Sequence, residues 1–253
     1  MCIVVCKPSG IDMPNEATLH ECFISNPDGA GYMFTENNEV VIKKGFMNEK
    51  QFLIELNKDY ERLGKDTPFV LHFRIQTQGG VNQQCTHPFP LSKDMNDLKL
   101  LDCSTDIGIA HNGIISLTSK SSSYKTVYDS KTKTYKTMLI TVDYSDTMKF
   151  ITDYLSLIID SDDWYLNEDK KELIEKLIGY NNKFAIMSKD GHIELIGNFV
   201  EDGGCYYSNT TYKNWASTYG YEEEHWACSL YTTGSDENCP KCPYFNDCYG
   251  VPN

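Results

Sequence analysis

The chain has 253 residues, a net charge of −13 and an isoelectric point near 4.8, which argue against a general nucleic-acid or membrane-binding surface. Its length suits one large domain with a small appendage, and 40% hydrophobic residues suffice for a sizeable core. No apolar run approaches the roughly 20 residues of a membrane span, and ten cysteines without an export signal point to thiols or metal ligands in a reducing compartment rather than to disulfides.

Cys2 follows Met1 directly, and a small second residue favours removal of the initiator methionine. The exposed residue would carry a thiol and an α-amine together. The amine, with a pKa of roughly 7.7–8.0, can serve as base for its own nucleophile. Ile3 to Cys6 reads as a short buried strand, and Asn26-Pro27-Asp28-Gly29-Ala30-Gly31 as a turn into a second strand at Tyr32-Met33-Phe34. A third strand runs from Glu39 to Lys43 after an Asn37-Asn38 turn. Asn48 is placed to cap a helix over Glu49 to Leu63, with Phe52, Leu53, Leu56, Tyr60 and Leu63 at helical spacing and Gly64 at its end. Phe69 to Ile75 is an apolar strand that delivers Arg74. Ile107 to His111 is another, and it delivers Asn112-Gly113. Residues 116–137 have no clear period and carry five lysines against one aspartate. They read as a solvated loop or hairpin, with a lid or a docking surface for an acidic partner as the alternative. Ser145 is placed to cap a helix to about Ile159, and Asn167 one through Ile178 that closes at Gly179. Phe184 to Ser188 and His192 to Ile196 flank a Lys189-Asp190-Gly191 turn. Strands, then helices, then strands suit a layered α+β domain with antiparallel sheets.

Several of these segments carry chemistry in a particular order: Cys2, Asn26 to Gly31, Leu71-His72-Phe73-Arg74-Ile75-Gln76-Thr77-Gln78-Gly79, Ala110-His111-Asn112-Gly113, and Ser145-Asp146-Thr147. In that order the chain resembles a class II glutamine amidotransferase domain from Cys2 to about Tyr212. Asn182 to Met187 and Gly204 to Asn209 look like the closing strands of stand-alone members. The resemblance implies the four-layer αββα sandwich of N-terminal-nucleophile hydrolases over residues 2–220, with residues 221–253 as a Cys-rich C-terminal extension.

It also implies roles. Cys2 attacks the carboxamide of glutamine, releases ammonia and leaves a γ-glutamyl thioester that water hydrolyses. Arg74 offers a planar fork to the α-carboxylate, and Asp146 the opposite charge to the α-ammonium. Thr77 lines the cleft and Gln78 adds backbone polar groups. The Asn112 side chain and the Gly113 N–H face the oxyanion, where losing one donor typically costs about 10²–10³ in rate. Glutamine is then the substrate and a separate synthetase accepts the ammonia, since no ATP-binding loop is visible. No cofactor is required for catalysis. The chain departs from synthases of this family at Ile75-Gln76, where they often carry Trp-Ala, which bears on how ammonia would be passed on. His72 and His111 read as packed strand residues.

Cys228, Cys239, Cys242 and Cys248 have the spacing C-x10-C-x2-C-x5-C. Four thiolates suit a structural zinc, with His225 as a spare ligand. Free thiols, disulfides or an iron–sulfur cluster are the alternatives. The expected compartment is the cytoplasm. Richness in Lys, Asn and Tyr fits an AT-rich genome such as a phage's, in which case the cytoplasm is the host's. Two rival functions remain: a hydrolase of another γ-glutamyl amide, and an inactive binding module on the same fold.

Overall fold

Side-chain caps and glycines set the helix boundaries in the computed structural model, which describes residues 2–76, 81–118, 123–140 and 144–213. Strand β1 (Ile3–Lys7) leads to helix α1 (Glu16–Ser25), and the hairpin β2 (Ala30–Glu36) and β3 (Glu39–Phe46) precedes α2 (Glu49–Leu63). Strands β4 (Phe69–Phe73), β5 (Phe89–Pro90), β6 (Asp102–Thr105) and β7 (Ile107–Asn112) follow, then the hairpin β8 (Ser123–Asp129) and β9 (Thr134–Ile140). A helical stretch comprises α3 (Asp146–Phe150), a π-helical turn over Ile151–Leu155, and α4 (Ser156–Ile158). Helix α5 (Glu168–Ile178) precedes β10 (Lys183–Ser188), β11 (Ile193–Ile196), β12 (Val200–Asp202) and β13 (Cys205–Tyr207).

Helix α2 has the expected bounds. The Asn48 side chain accepts the Gln51 N–H at its start, and Gly64 ends it at φ +76°, where a side chain would be strained. Asn167 caps α5 in the same way through the Lys170 N–H. Ser145 accepts the Met148 N–H, but the helix it starts loosens to π geometry at Ile151. Helix α1 was not anticipated. Asn15 caps it through the Thr18 N–H, yet only Leu19, Cys22 and Phe23 are buried, too few to mark a period. Within the lysine-rich stretch, residues 116–118 form a turn and residues 123–137 belong to a hairpin, with β8 and β9 paired only with each other among the described residues.

All strand pairings among the described residues are antiparallel. Seven strands form one sheet in the order β12-β13-β1-β4-β2-β3-β6, and four form a second in the order β11-β10-β7-β5. Alternation along each strand divides the core in three. Ile3 and Val5 of β1 join Leu19 of α1 and Phe52 and Leu56 of α2. Val4 and Cys6, from the other face of β1, join Met33 and Val70 and meet Ala110, Ala185 and Met187 of the second sheet. On that sheet's far face, Ile109, Phe184 and Ile186 join Met148, Phe150 and Ile174 from the helices. Burying each large side chain contributes about 1.5–3 kcal/mol. Small residues let the sheets approach: a Cβ on Gly108 would lie 2.5 Å from Met33 Sδ and 2.9 Å from Val40 Cγ1. The chain is thus a mixed α+β protein of antiparallel sheets and helices. No helix among the described residues is long and apolar enough to cross a membrane.

Candidate active site

Cys2 lies just before β1, and the register of that strand decides what it meets. β1 pairs with β4 so that Ile3 faces Phe73. The next step along both chains brings Cys2 to the residues after β4. Its thiol donates to the Ile75 carbonyl at 3.4 Å, and the Ile75 N–H donates back to Sγ at 3.4 Å. Burial pushes the Cys2 pKa up, against the Ile75 hydrogen bond and the positive charge of Arg74, which pull it down. A thiol kept protonated in this way would need a base before it could serve as a nucleophile.

Arg74 is 3% exposed, so its guanidinium lies inside the protein beside this thiol. The turn before β2 fixes its backbone. The Arg74 N–H donates to the Gly29 carbonyl at 2.8 Å, and its carbonyl accepts the Asp28 N–H at 2.9 Å. The Asp28 carboxylate then accepts the Gln76 N–H at 2.7 Å. Gly29 sits at φ +118°, and a Cβ there would come within 2.7 Å of Thr86. The motif Asn26 to Gly31 therefore holds the Arg74 segment in place.

Asn112 ends β7 in the second sheet, and the two residues after β13, Ser208 and Asn209, connect it to Cys2. Ser208 Oγ accepts the Val4 N–H at 2.8 Å and the Asn112 side-chain amide at 2.9 Å. The Asn209 amide donates to the Cys2 carbonyl at 2.7 Å. Gly113 has φ +144°, and a Cβ there would lie 2.2 Å from Asn182 Oδ1. Only glycine fits between this backbone and that amide.

Behind these residues runs a buried polar network. His111 donates from Nε2 to Asn182 Oδ1 at 2.8 Å and accepts the Thr147 hydroxyl at Nδ1, also 2.8 Å. That pattern fits a neutral imidazole, and burial lowers its pKa. Asn182 donates on to the Ile114 carbonyl at 3.1 Å. His72 donates from Nε2 to the His111 carbonyl at 3.0 Å, and burial lowers its pKa to about 3. His72 thus ties β4 to β7, and His111 ties β7 to α3 and to the turn before β10. Asp146, 5% exposed, accepts the Ile115 N–H at 2.7 Å and the Thr147 N–H at 2.9 Å. Both its oxygens hold backbone donors. Each keeps a lone pair for a further donor such as an ammonium.

The structure therefore links Cys2, Arg74, Asn112, Gly113 and Asp146 through contiguous contacts at one end of the two sheets. Thr77 and Gln78 lie outside the described residues. So do Met1, His225 and the four cysteines expected to hold zinc, Cys228, Cys239, Cys242 and Cys248. Among the described residues no group of three or more His, Cys, Asp or Glu is arranged to hold a metal ion. Sequence reading missed the supporting residues Asp28, Asn182, Ser208 and Asn209. All four stand inside motifs it had marked, but a one-dimensional motif does not say which partner each side chain meets. No protein-family model matches the chain, and no curated protein matches it.

Proposed function

We propose that the protein is a glutaminase of the class II amidotransferase type, built on the four-layer αββα sandwich of N-terminal-nucleophile hydrolases. For the fold, the support is three separate cores, helix-on-sheet, sheet-on-sheet and sheet-on-helix. For the activity, one observation carries the reading: the Cys2 thiol rests on Ile75 beside a buried guanidinium, while Ser208 ties the same strand to Asn112.

In this mechanism Met1 is removed and the α-amine of Cys2 takes the thiol proton. The thiolate attacks Cδ of glutamine, and the carbonyl oxygen becomes an oxyanion between Asn112 and the Gly113 N–H. Collapse breaks the C–N bond, the α-ammonium returns its proton to the departing nitrogen, and ammonia leaves. The γ-glutamyl thioester remains on Cys2. Water, activated by the α-amine, adds to it and releases glutamate and the thiol. Arg74 holds the α-carboxylate through two parallel hydrogen bonds, and Asp146 holds the α-ammonium. This double grip specifies a free amino acid, because a glutamine within a chain lacks both charges. The ammonia passes to a separate acceptor enzyme.

The test is the intact mass of purified protein before and after 6-diazo-5-oxo-norleucine, with glutamate release assayed in parallel. The reading expects a mass short by one methionine and a single adduct mapped to Cys2. Retained Met1, no adduct and no glutamate release would overturn it in favour of an inactive binding module. Turnover of a γ-glutamyl amide but not of glutamine would reassign the substrate.

A further inference from the structure

The hydrogen-bond accounts of Asn112 and Ser208 do not close as the two side chains stand. Ser208 Oγ accepts twice, from the Val4 N–H and from Asn112 Nδ2. Its own hydroxyl proton then has no acceptor. Asn112 Oδ1 is buried with no hydrogen-bond partner, and Asn112 is only 2% exposed. One buried donor and one buried acceptor thus stand unsatisfied side by side, which is unfavourable away from water.

A half-turn of the amide about its last side-chain bond removes both faults, because the oxygen and the NH2 group of an amide have nearly the same shape. The Ser208 hydroxyl then donates to Asn112 Oδ1, while its oxygen still accepts the Val4 N–H. Asn112 Nδ2 moves to the position now occupied by the unpartnered oxygen, with both protons free for a new acceptor. An acceptor is what an oxyanion supplies. An amide turned the other way would place a lone pair there and repel it.

We propose that Ser208 is the positioning residue of the oxyanion hole: its hydroxyl holds Asn112 Oδ1 and so turns Nδ2 toward the developing charge. The proposal rests on the glutaminase reading for the identity of that charge. Ser208 suits the task because it is fully buried and its backbone is held on both sides. Its N–H donates to the Val4 carbonyl at 2.9 Å, and its carbonyl accepts from Lys183 Nζ. The same residue thereby sets the strand that carries the nucleophile and the amide that faces the intermediate.

Two measurements test it. The first is orientation, read without turnover. With Nδ2 on Ser208 Oγ, the Asn112 amide protons lie next to the Val4 N–H, since both donate to one oxygen. In labelled protein the nuclear Overhauser effect between them should be weak if Ser208 holds Oδ1. A strong effect would overturn the proposal. The second is kinetic. Ser208→Ala should lower kcat about tenfold to a hundredfold, part of the roughly 10²–10³ that one oxyanion donor supplies, with KM nearly unchanged. Ser208→Thr, which keeps the hydroxyl, should recover most of the loss. Alkylation of Cys2 by iodoacetamide forms no oxyanion, so its rate should hold in both variants and shows the site intact. Full kcat in Ser208→Ala, or equal losses in kcat and in alkylation, would sink the proposal. A wild type that alkylates at Cys2 but releases no glutamate would instead sink the glutaminase reading and leave the amide orientation to be judged by the first measurement.

Discussion

Asn209 donates its side-chain amide to the carbonyl oxygen of Cys2 at 2.7 Å, across 207 positions of sequence. Its neighbour Ser208 holds the Val4 N–H and the Asn112 amide. The residues that follow the last described strand of the large sheet thus clamp the start of the first, and the backbone of Cys2 is held from the far end of the domain.

Replacing Cys2 by Ala should abolish glutamate release, a fall of about 10⁴–10⁶-fold if the thiol is the nucleophile. Far-ultraviolet circular dichroism should stay unchanged, because the side chain lies outside the three cores. Wild-type rates in this variant would end the thioester mechanism.

Arg74→Lys keeps the charge and loses the fork. Hydrogen bonds to charged groups are worth about 1.5–3 kcal/mol, so KM for glutamine should rise about tenfold to a hundredfold, with a smaller change in kcat. Initial-rate kinetics over a range of glutamine concentrations decide this. An unchanged KM would remove Arg74 from the carboxylate site.

Gly113→Ala places a methyl group 2.2 Å from Asn182 Oδ1 at φ +144°. Overpacking of this kind typically costs about 1–3 kcal/mol, and the displaced Asn182 would also disturb His111. Urea denaturation should show a lower midpoint, and any glutaminase activity should drop further than stability does. A variant as stable as wild type would mean that Asn182 moves aside freely.

Buried histidines predict acid sensitivity. His72 is lowered to about 3 in the folded state, and burial also lowers His111 and His87. The unfolded chain titrates near the usual value of about 6.5. Below that, the unfolded state binds protons that the folded state refuses, so stability rises with pH and is lost as pH falls from about 6.5 toward 3. Denaturation midpoints measured at pH 7, 6, 5 and 4 should decline steadily, and His72→Asn should flatten the decline.

Lys44 acts in a different window. Its ammonium lies 3.8 Å from the Phe89 ring centre and donates to the Leu98 carbonyl at 2.6 Å and the Gln84 carbonyl at 3.2 Å. Burial lowers its pKa to about 7. The unfolded chain takes up this proton below about 10.4, so Lys44 makes stability fall as pH drops from about 10 to 7. Lys44→Met should remove that slope in urea titrations. An identical slope in both proteins would show that the burial is compensated elsewhere.

Local rules made much of this protein legible in advance. Asn48 with Gly64, and Asn167 with Gly179, bracket their helices because capping satisfies orphan backbone groups within a few residues. The short apolar runs at Ile3, Phe69, Ile107 and Phe184 form buried strands, as their length and bounding turn residues suggest. The candidate site residues stood out through the order of their motifs, which carries the resemblance to class II glutamine amidotransferases, and their contacts came only with the fold. Helix α1 was hidden because tertiary burial of three residues, rather than a periodic face, stabilises it. The pairing of sheets, and the support of Arg74 by Asp28, of Gly113 by Asn182 and of Cys2 by Asn209, belong to the tertiary structure alone. These contacts span tens to hundreds of positions, and their geometry depends on strand register and on small residues such as Gly108 that let two sheets meet. Residue type announces what a side chain can do, but only packing decides which atom it faces.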